Sequence, residues 1–262
     1  GSTSSLLAEQ AAGRSVQIVY SPLDALTLAQ QNPDREIVFV GVGFEPPRRW
    51  WPWPSSARPR PASRTSACSA LTEHAGALEA IINDPQLKVD ALILPGHVST
   101  IIGAEPYRFL AEKYGIPGVI TGFEPVDVLQ GIAMIMRQLH EGRADIEIAY
   151  ARGVMPEGNP VALAAIDEVF ETCTALWRGL GEIPGSGYRI REEFAQFDAV
   201  RRFQPDVEPT QDPKGCRCGD VLRGIMAPNE CPLFRKVCTP ENPVGPCMVS
   251  SEGSCAAYHR YY

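Results

Sequence analysis

Six of the eight cysteines in the 262-residue chain fall between positions 216 and 255: Cys216, Cys218, Cys231, Cys238, Cys247 and Cys255. The other two, Cys68 and Cys173, stand alone. In a chain expected to be intracellular, thiolates gathered in one short stretch are better suited to binding metal than to disulfides. Four of them, Cys218-x12-Cys231-x6-Cys238-x16-Cys255, come from one Gly- and Pro-rich segment. Structural zinc is usually held by tight C-x2-4-C knuckles on both sides, and no such pair occurs here. Wide spacing with turns between the ligands suits an iron–sulfur cluster at least as well; zinc and buried free thiols remain open on spacing alone. The tail has too few periodic apolar positions to form a core of its own, so a metal centre would help it fold.

The elements that must carry this tail alternate strand and helix. Strands are expected at 16–20 (VQIVY), 36–44 (EIVFVGVGF), 90–95, 118–123 and 145–151, and helices at 21–31, 76–83, 105–114, 125–142 and 159–176. Ser21 and Pro22 supply an N-cap and a first-turn proline. This order predicts an α/β protein with a largely parallel, doubly wound sheet. The strings VGVGFEP and VITGFEP each place Gly-Phe-Glu-Pro after an apolar strand, which predicts two similar Rossmann-like halves with Glu45 and Glu124 at strand C-termini, where open α/β sheets collect function. The expected organisation is a first α/β domain over 1–95, a second over 96–180 and a cysteine-rich region over 181–262. Met134 and Met136 are assigned to an apolar helix face and hence to the core.

The totals exclude some classes. A net charge of −7 argues against a nucleic-acid partner, which needs a basic face. No stretch approaches the roughly 20 apolar residues of a membrane span. The opening GSTSSLLAEQ has no apolar leader core, so a cytoplasmic protein is expected. No GxGxxG or P-loop string appears.

Several long strings together resemble the HypD family of hydrogenase maturation proteins: CRCGDVLRG, PNECPLF, CTPENPVGPCMVSSEGSCAAY, LPGHVSTIIG, GFEPVDVLQ and GEIPGSG. The resemblance runs over about 6–45 and 76–262. It implies a factor for assembling the Fe(CN)2CO moiety of [NiFe] hydrogenases, a scaffold and electron relay more than a turnover enzyme. It also implies a HypC-type chaperone and HypE as partners, with cyanide from the HypE/HypF pair, a monomer outside that complex, and a [4Fe-4S] cluster. Carried onto this chain, the cluster ligands are Cys218, Cys231, Cys238 and Cys255, with Cys216 and Cys247 as alternates. His97, in PGHVST, is a candidate contact to the chaperone or the iron, or a turn histidine satisfied locally. Glu124 either orients a ligand or caps the helix that begins at Pro125, and Glu252 fixes the loop among the ligands. The family's CGGHTH-like and GPGCPVC-like segments do not occur in these residues, so an N-terminally incomplete chain is expected, one that lacks the thiols for holding iron.

Residues 46–67, PPRRWWPWPSSARPRPASRTSA, fit none of this. The family continues GFETTAP where this chain reads GFEPPRR, and deletion of one base converts the first into the second. Read one base earlier, the codons of Trp50-Trp51-Pro52-Trp53-Pro54 spell an apolar helical run. RTSACSAL decodes in the same way to the family's NFSVLCS. A frameshift over about 46–73 is therefore expected, leaving a disordered insert and an uncovered apolar face on the first sheet.

Overall fold

The computed structural model describes residues 4–44, 65–72, 74–177, 180–206 and 213–262. Among these, the helices run α1 (Leu6–Ala11), α2 (Pro22–Gln31), α3 (His74–Ile82), α4 (Gly96–Ile102), α5 (Arg108–Tyr114), α6 (Pro125–Glu141), α7 (Pro160–Val169), α8 (Ala199–Phe203), α9 (Cys218–Leu222), α10 (Pro246–Val249) and α11 (Ser254–Tyr261). The strands are β1 (Ile37–Phe44), β2 (Thr65–Thr72), β3 (Leu92–Pro95), β4 (Gly118–Thr121), β5 (Ile146–Ile148), β6 (Phe170–Trp177) and β7 (Gly181–Ile190). Local chemistry sets the helix starts. Ser21 Oγ accepts the Leu23 N–H, Asn159 Oδ1 accepts those of Val161 and Ala162, and Pro22, Pro125 and Pro160 occupy first positions that need no donor.

The result is a mixed α/β protein with two sheets. One is parallel and three-stranded, in the order β3-β4-β5. Its core is Leu94, Ile120, Tyr107 and Leu110, all essentially inaccessible. The long helix α6 covers this sheet with Asp127, Gly131, Ile135 and Gln138, a spacing that keeps one helical face inward. Gly131 is required there: a Cβ would stand 2.2 Å from Thr121 Cγ2. Met136 corrects the expectation of a core residue, since it is 59% exposed. It belongs to the outer stripe of α6 with Val126 and Leu129, which are also exposed.

The other sheet has the order β1-β2-β7-β6, with β1 and β2 parallel and β7 antiparallel to both of its neighbours. Three expectations change here. The helix expected over 159–176 ends at Val169, because Phe170–Trp177 alternates in burial and pairs with β7, Phe170 opposite Ile190 and Trp177 opposite Gly181. The Gly- and Pro-rich stretch at 181–190, assigned to the cysteine-rich region, is the second strand of that hairpin, with Ser186 buried and accepting from Trp177 Nε1 at 2.8 Å. Residues 16–20 form no strand despite their β-branched composition: among the described residues no strand pairs with them, and Ile18 and Tyr20 are exposed. A strand needs a partner for its backbone groups more than it needs propensity.

Residues 46–64 and 73 of the expected frame-shifted insert lie outside the described residues. Residues 65–72, which the same expectation covered, form β2 in register with β1, Ile37 opposite Thr65. Val38 and Val40, two residues apart and therefore on one face, remain exposed on β1. Among the described residues no helix is long and apolar enough to cross a membrane.

Candidate metal centre

From residue 213 onward the chain consists of turns and helices of four to eight residues, too short to be stable alone. What they pack around is sulfur. Cys218, Cys238, Cys247 and Cys255 are buried together with Phe234, Met248 and Ala256, and Cys216 and Cys231 lie half-buried against them. The tail does have a core, contrary to the sequence expectation, and cysteines make up much of it. All six thiols line one cavity whose other walls include Val221, Leu233, Phe234 and Met248.

The positions follow from the turns. Cys216 precedes α9, and Cys218 is its first residue. The Pro228–Glu230 turn is closed by Glu230 Oε2 accepting the Ala227 N–H at 2.6 Å, and it delivers Cys231. Cys238 is held by its N–H to the Leu233 carbonyl at 3.0 Å, while its Sγ accepts the Val244 N–H at 3.4 Å. Cys247 lies in α10 and Cys255 in α11. Gly245 and Gly253 allow the close approach: a Cβ at the first would stand 2.5 Å from Cys216 Sγ, and at the second 2.3 Å from the Cys247 carbonyl oxygen.

The thiols differ in how readily they ionise. The Cys247 thiol donates to Cys255 Sγ at 3.0 Å. Hydrogen bonding with Cys218 pulls Cys247 down, but donation to Cys255, burial and neighbouring thiols outweigh it and push Cys247 up to about 12. The same hydrogen bond lowers Cys255, and burial raises Cys216. Among the described residues no three His, Cys, Asp or Glu side chains are grouped tightly enough to hold one ion. A tetrahedral zinc needs four sulfurs about 2.3 Å from a single point, and an iron–sulfur cluster needs four thiolates around a larger one. The donor set, sulfur in apolar walls, suits thiophilic metals, zinc and iron–sulfur groups alike.

Two of the other candidates, His97 and Glu124, sit at the C-terminal end of the parallel sheet. His97, exposed at the second position of α4, has its ring centroid 4.4 Å from that of Phe123. The Glu124 side chain does not cap α6. It accepts from Arg152 Nη2 at 3.1 Å, while its backbone serves the helix, the carbonyl accepting the Val128 N–H and the N–H donating to the Asp127 carboxylate. Glu252 is exposed, and its N–H donates to Ser250 Oγ within the turn. Neither His97 nor Glu124 lines the cysteine cavity.

The sequence reading missed the centre of this edge. Arg152 donates to both oxygens of Asp127, at 2.7 and 2.6 Å, and stacks 4.6 Å from the Tyr150 ring centroid. Asp127 is 4% exposed, and the Arg152 guanidinium holds its carboxyl below the usual carboxylate range. A depressed folded-state pKa contributes stability that is full above the unfolded value of about 3.9 and is lost as pH falls through the folded one. Removing the cation leaves a buried carboxylate that gains by binding a proton. The Arg152→Gln variant is therefore expected to melt below wild type, with a gap largest at neutral pH and narrowing toward pH about 4. Melting temperatures across that range measure it; a gap independent of pH would show that Asp127 is not the group involved.

With the geometry described, similarity adds the family context. The HypD family model, described as "Hydrogenase formation hypA family", matches residues 1–262. The chain is 45% identical over 267 residues to the hydrogenase maturation factor HypD of Cupriavidus necator, covering 98% of this chain and 70% of that protein. It is 47% identical over 268 residues to HypD of Rhodobacter capsulatus, covering 100% and 71%. A putative hydrogenase expression/formation protein of Methanocaldococcus jannaschii is 40% identical, covering 100% of this chain and 73% of that one.

Proposed function

This chain belongs to the HypD family of hydrogenase formation proteins, and on that premise we propose that its C-terminal cavity holds a [4Fe-4S] cluster serving hydrogenase maturation. The observation that carries the proposal is the convergence of six thiols on one apolar cavity. Cys218, Cys231, Cys238 and Cys255 are the proposed ligands, with Cys216 and Cys247 as alternates for a position or as a neighbouring dithiol. When bound, such a cluster supplies one electron at a time at a potential set by its charge, hydrogen bonds and exposure.

The chain's own part is binding and proton placement. The Val244 N–H donates toward Cys238 Sγ, a contact that fixes where this sulfur sits in the cavity wall. Cys247 keeps its proton and directs it at Cys255 Sγ. Ligation must displace the protons of four thiols, so loading improves as pH rises. The proposed role is that of a scaffold and electron relay in the cytoplasm, acting with a HypC-type chaperone and HypE on the Fe(CN)2CO moiety, which is cargo and not a resident cofactor. In this reading the two sheets belong to two related α/β units, and the edge bearing His97, Glu124 and Arg152 faces the chaperone or the cargo iron.

Anaerobic reconstitution of the full chain with iron and sulfide tests the cluster. About four irons per chain and a broad absorption near roughly 400 nm are expected. Stoichiometric, colourless zinc with no such band would overturn the proposal in favour of a zinc-stabilised interaction module.

A further inference from the structure

The tail is tied to the α/β body beside its first two cysteines, through a residue to which neither the cavity nor the sheet edge gives a role. Arg223 directly follows α9. Its Nε donates to the Gly219 carbonyl at 3.0 Å, Nη1 to Asp84 Oδ2 at 2.7 Å and Nη2 to Asp220 Oδ1 at 2.7 Å. Its own carbonyl accepts the Lys88 N–H at 3.0 Å. Gly224 continues the contact at φ +69°, where a Cβ would stand 2.7 Å from the Lys88 carbonyl oxygen. Asp84 and Lys88 belong to the segment between α3 and β3, so Arg223 spans two parts of the molecule 139 residues apart in sequence. The arginine and its two carboxylates are only 22%, 25% and 14% exposed, which separates the group from ordinary surface pairs worth little.

Asp220 is shared. Its other oxygen pairs with Arg217, the residue between Cys216 and Cys218, and Arg217 lines the cysteine cavity. The contacts form a continuous series: Asp84, Arg223, Asp220, Arg217, then the two thiols. A five-residue helix such as α9 cannot hold its own geometry, and this series provides what does.

We propose that Arg223 is a positioning residue for the Cys216–Cys218 turn, clamping it through Asp220 and Arg217 against the segment that leads into β3. The proposal takes its functional meaning from the reading of the tail as a cluster site, but the clamp can be measured without metal. The three acceptors face three different guanidinium nitrogens, and the single nitrogen of a lysine cannot stand within hydrogen-bond distance of all of them.

The test is cysteine alkylation of the reduced, metal-free full chain, read site by site by mass spectrometry. In Arg223→Gln, Cys216 and Cys218 are expected to react about tenfold faster, as loss of charged hydrogen bonds opens the turn locally. Cys255, on α11, and Cys173, on β6, should stay within about twofold of wild type. Arg223→Lys should resemble Arg223→Gln. Asp84→Asn, which removes only the charge of the side-chain tie to the body, should give a smaller change with the same selectivity. Equal acceleration at all four cysteines would mean general destabilisation and overturn the proposal. Unchanged rates, or full recovery with lysine, would overturn it as well. In reconstituted protein, Arg223→Gln should also release iron to a chelator faster. If the wild-type chain loads no iron, the cluster reading falls, and the alkylation rates still decide the clamp.

Discussion

Replacing Cys238 with serine is expected to reduce iron loading from about four ions per chain to below about one, with loss of the band near roughly 400 nm. A serine hydroxyl is a poor ligand for iron–sulfur chemistry, because it does not give up its proton at neutral pH as a thiol does. Cys238 is only 7% exposed and packs with Phe234, Met248 and the other cysteines. The substitution therefore also places an alcohol in a buried cluster whose walls are mostly apolar. Cys231→Ser and Cys255→Ser are expected to behave in the same way. Cys216, Cys218 and Cys247 compete for the remaining position, so one of those three variants should follow Cys238→Ser while the other two keep their iron. Cys173→Ser is the internal control: that thiol sits on β6, against Gly187 and away from the cavity. Iron and acid-labile sulfide assays on the seven single variants check the set. Full loading of Cys238→Ser would remove Cys238 from the proposed ligands, and full loading of all six tail variants would remove the tail from the cluster site.

The parts legible in the sequence are those written in local pattern. Leu92–Pro95, Gly118–Thr121 and α6 were recoverable because apolar runs between capping residues leave few alternatives. The convergence of the cysteines was legible from their crowding alone. Three things were not. The β6–β7 hairpin hides because Phe170–Trp177 follows a genuine helix without a break, and its alternation makes sense only once β7 pairs with it. Pairing is also what Val16–Tyr20 lacks. The Arg152–Asp127 pair joins residues 25 apart; Asp127 alone reads as an ordinary acidic residue in a first helical turn. Arg223 illustrates the same limit on a larger scale, since its partner Asp84 lies in another part of the fold. Long-range polar contacts leave no periodic trace, and they are what fixes the sites in place.

Gly96→Ala is expected to destabilise the parallel sheet by about 2–3 kcal/mol, seen as a fall in melting temperature of several degrees. Gly96 opens α4 directly after β3 and is buried. A Cβ there would stand 2.3 Å from the Thr121 carbonyl oxygen and 2.9 Å from Tyr150 Cδ1. The tyrosine ring can turn aside, but the carbonyl belongs to the last residue of β4, paired with Pro95 of β3, and it moves only if the two strand ends separate. Those ends carry His97 on one side and Phe123 with Glu124 on the other, so the ring contact between His97 and Phe123 should loosen as well. Gly115→Ala separates this mechanism from simple backbone strain. Gly115 sits at φ +66° with nothing within 4 Å of its Cβ position, so it should cost only the left-handed penalty of about 1 kcal/mol. Thermal melts of both variants, with the His97 ring followed by NMR, decide the point. A loss at Gly96 no larger than at Gly115 would show that the strand ends give way to the added methyl, whereas a larger loss with a shifted His97 signal would show that the sheet edge depends on a missing side chain.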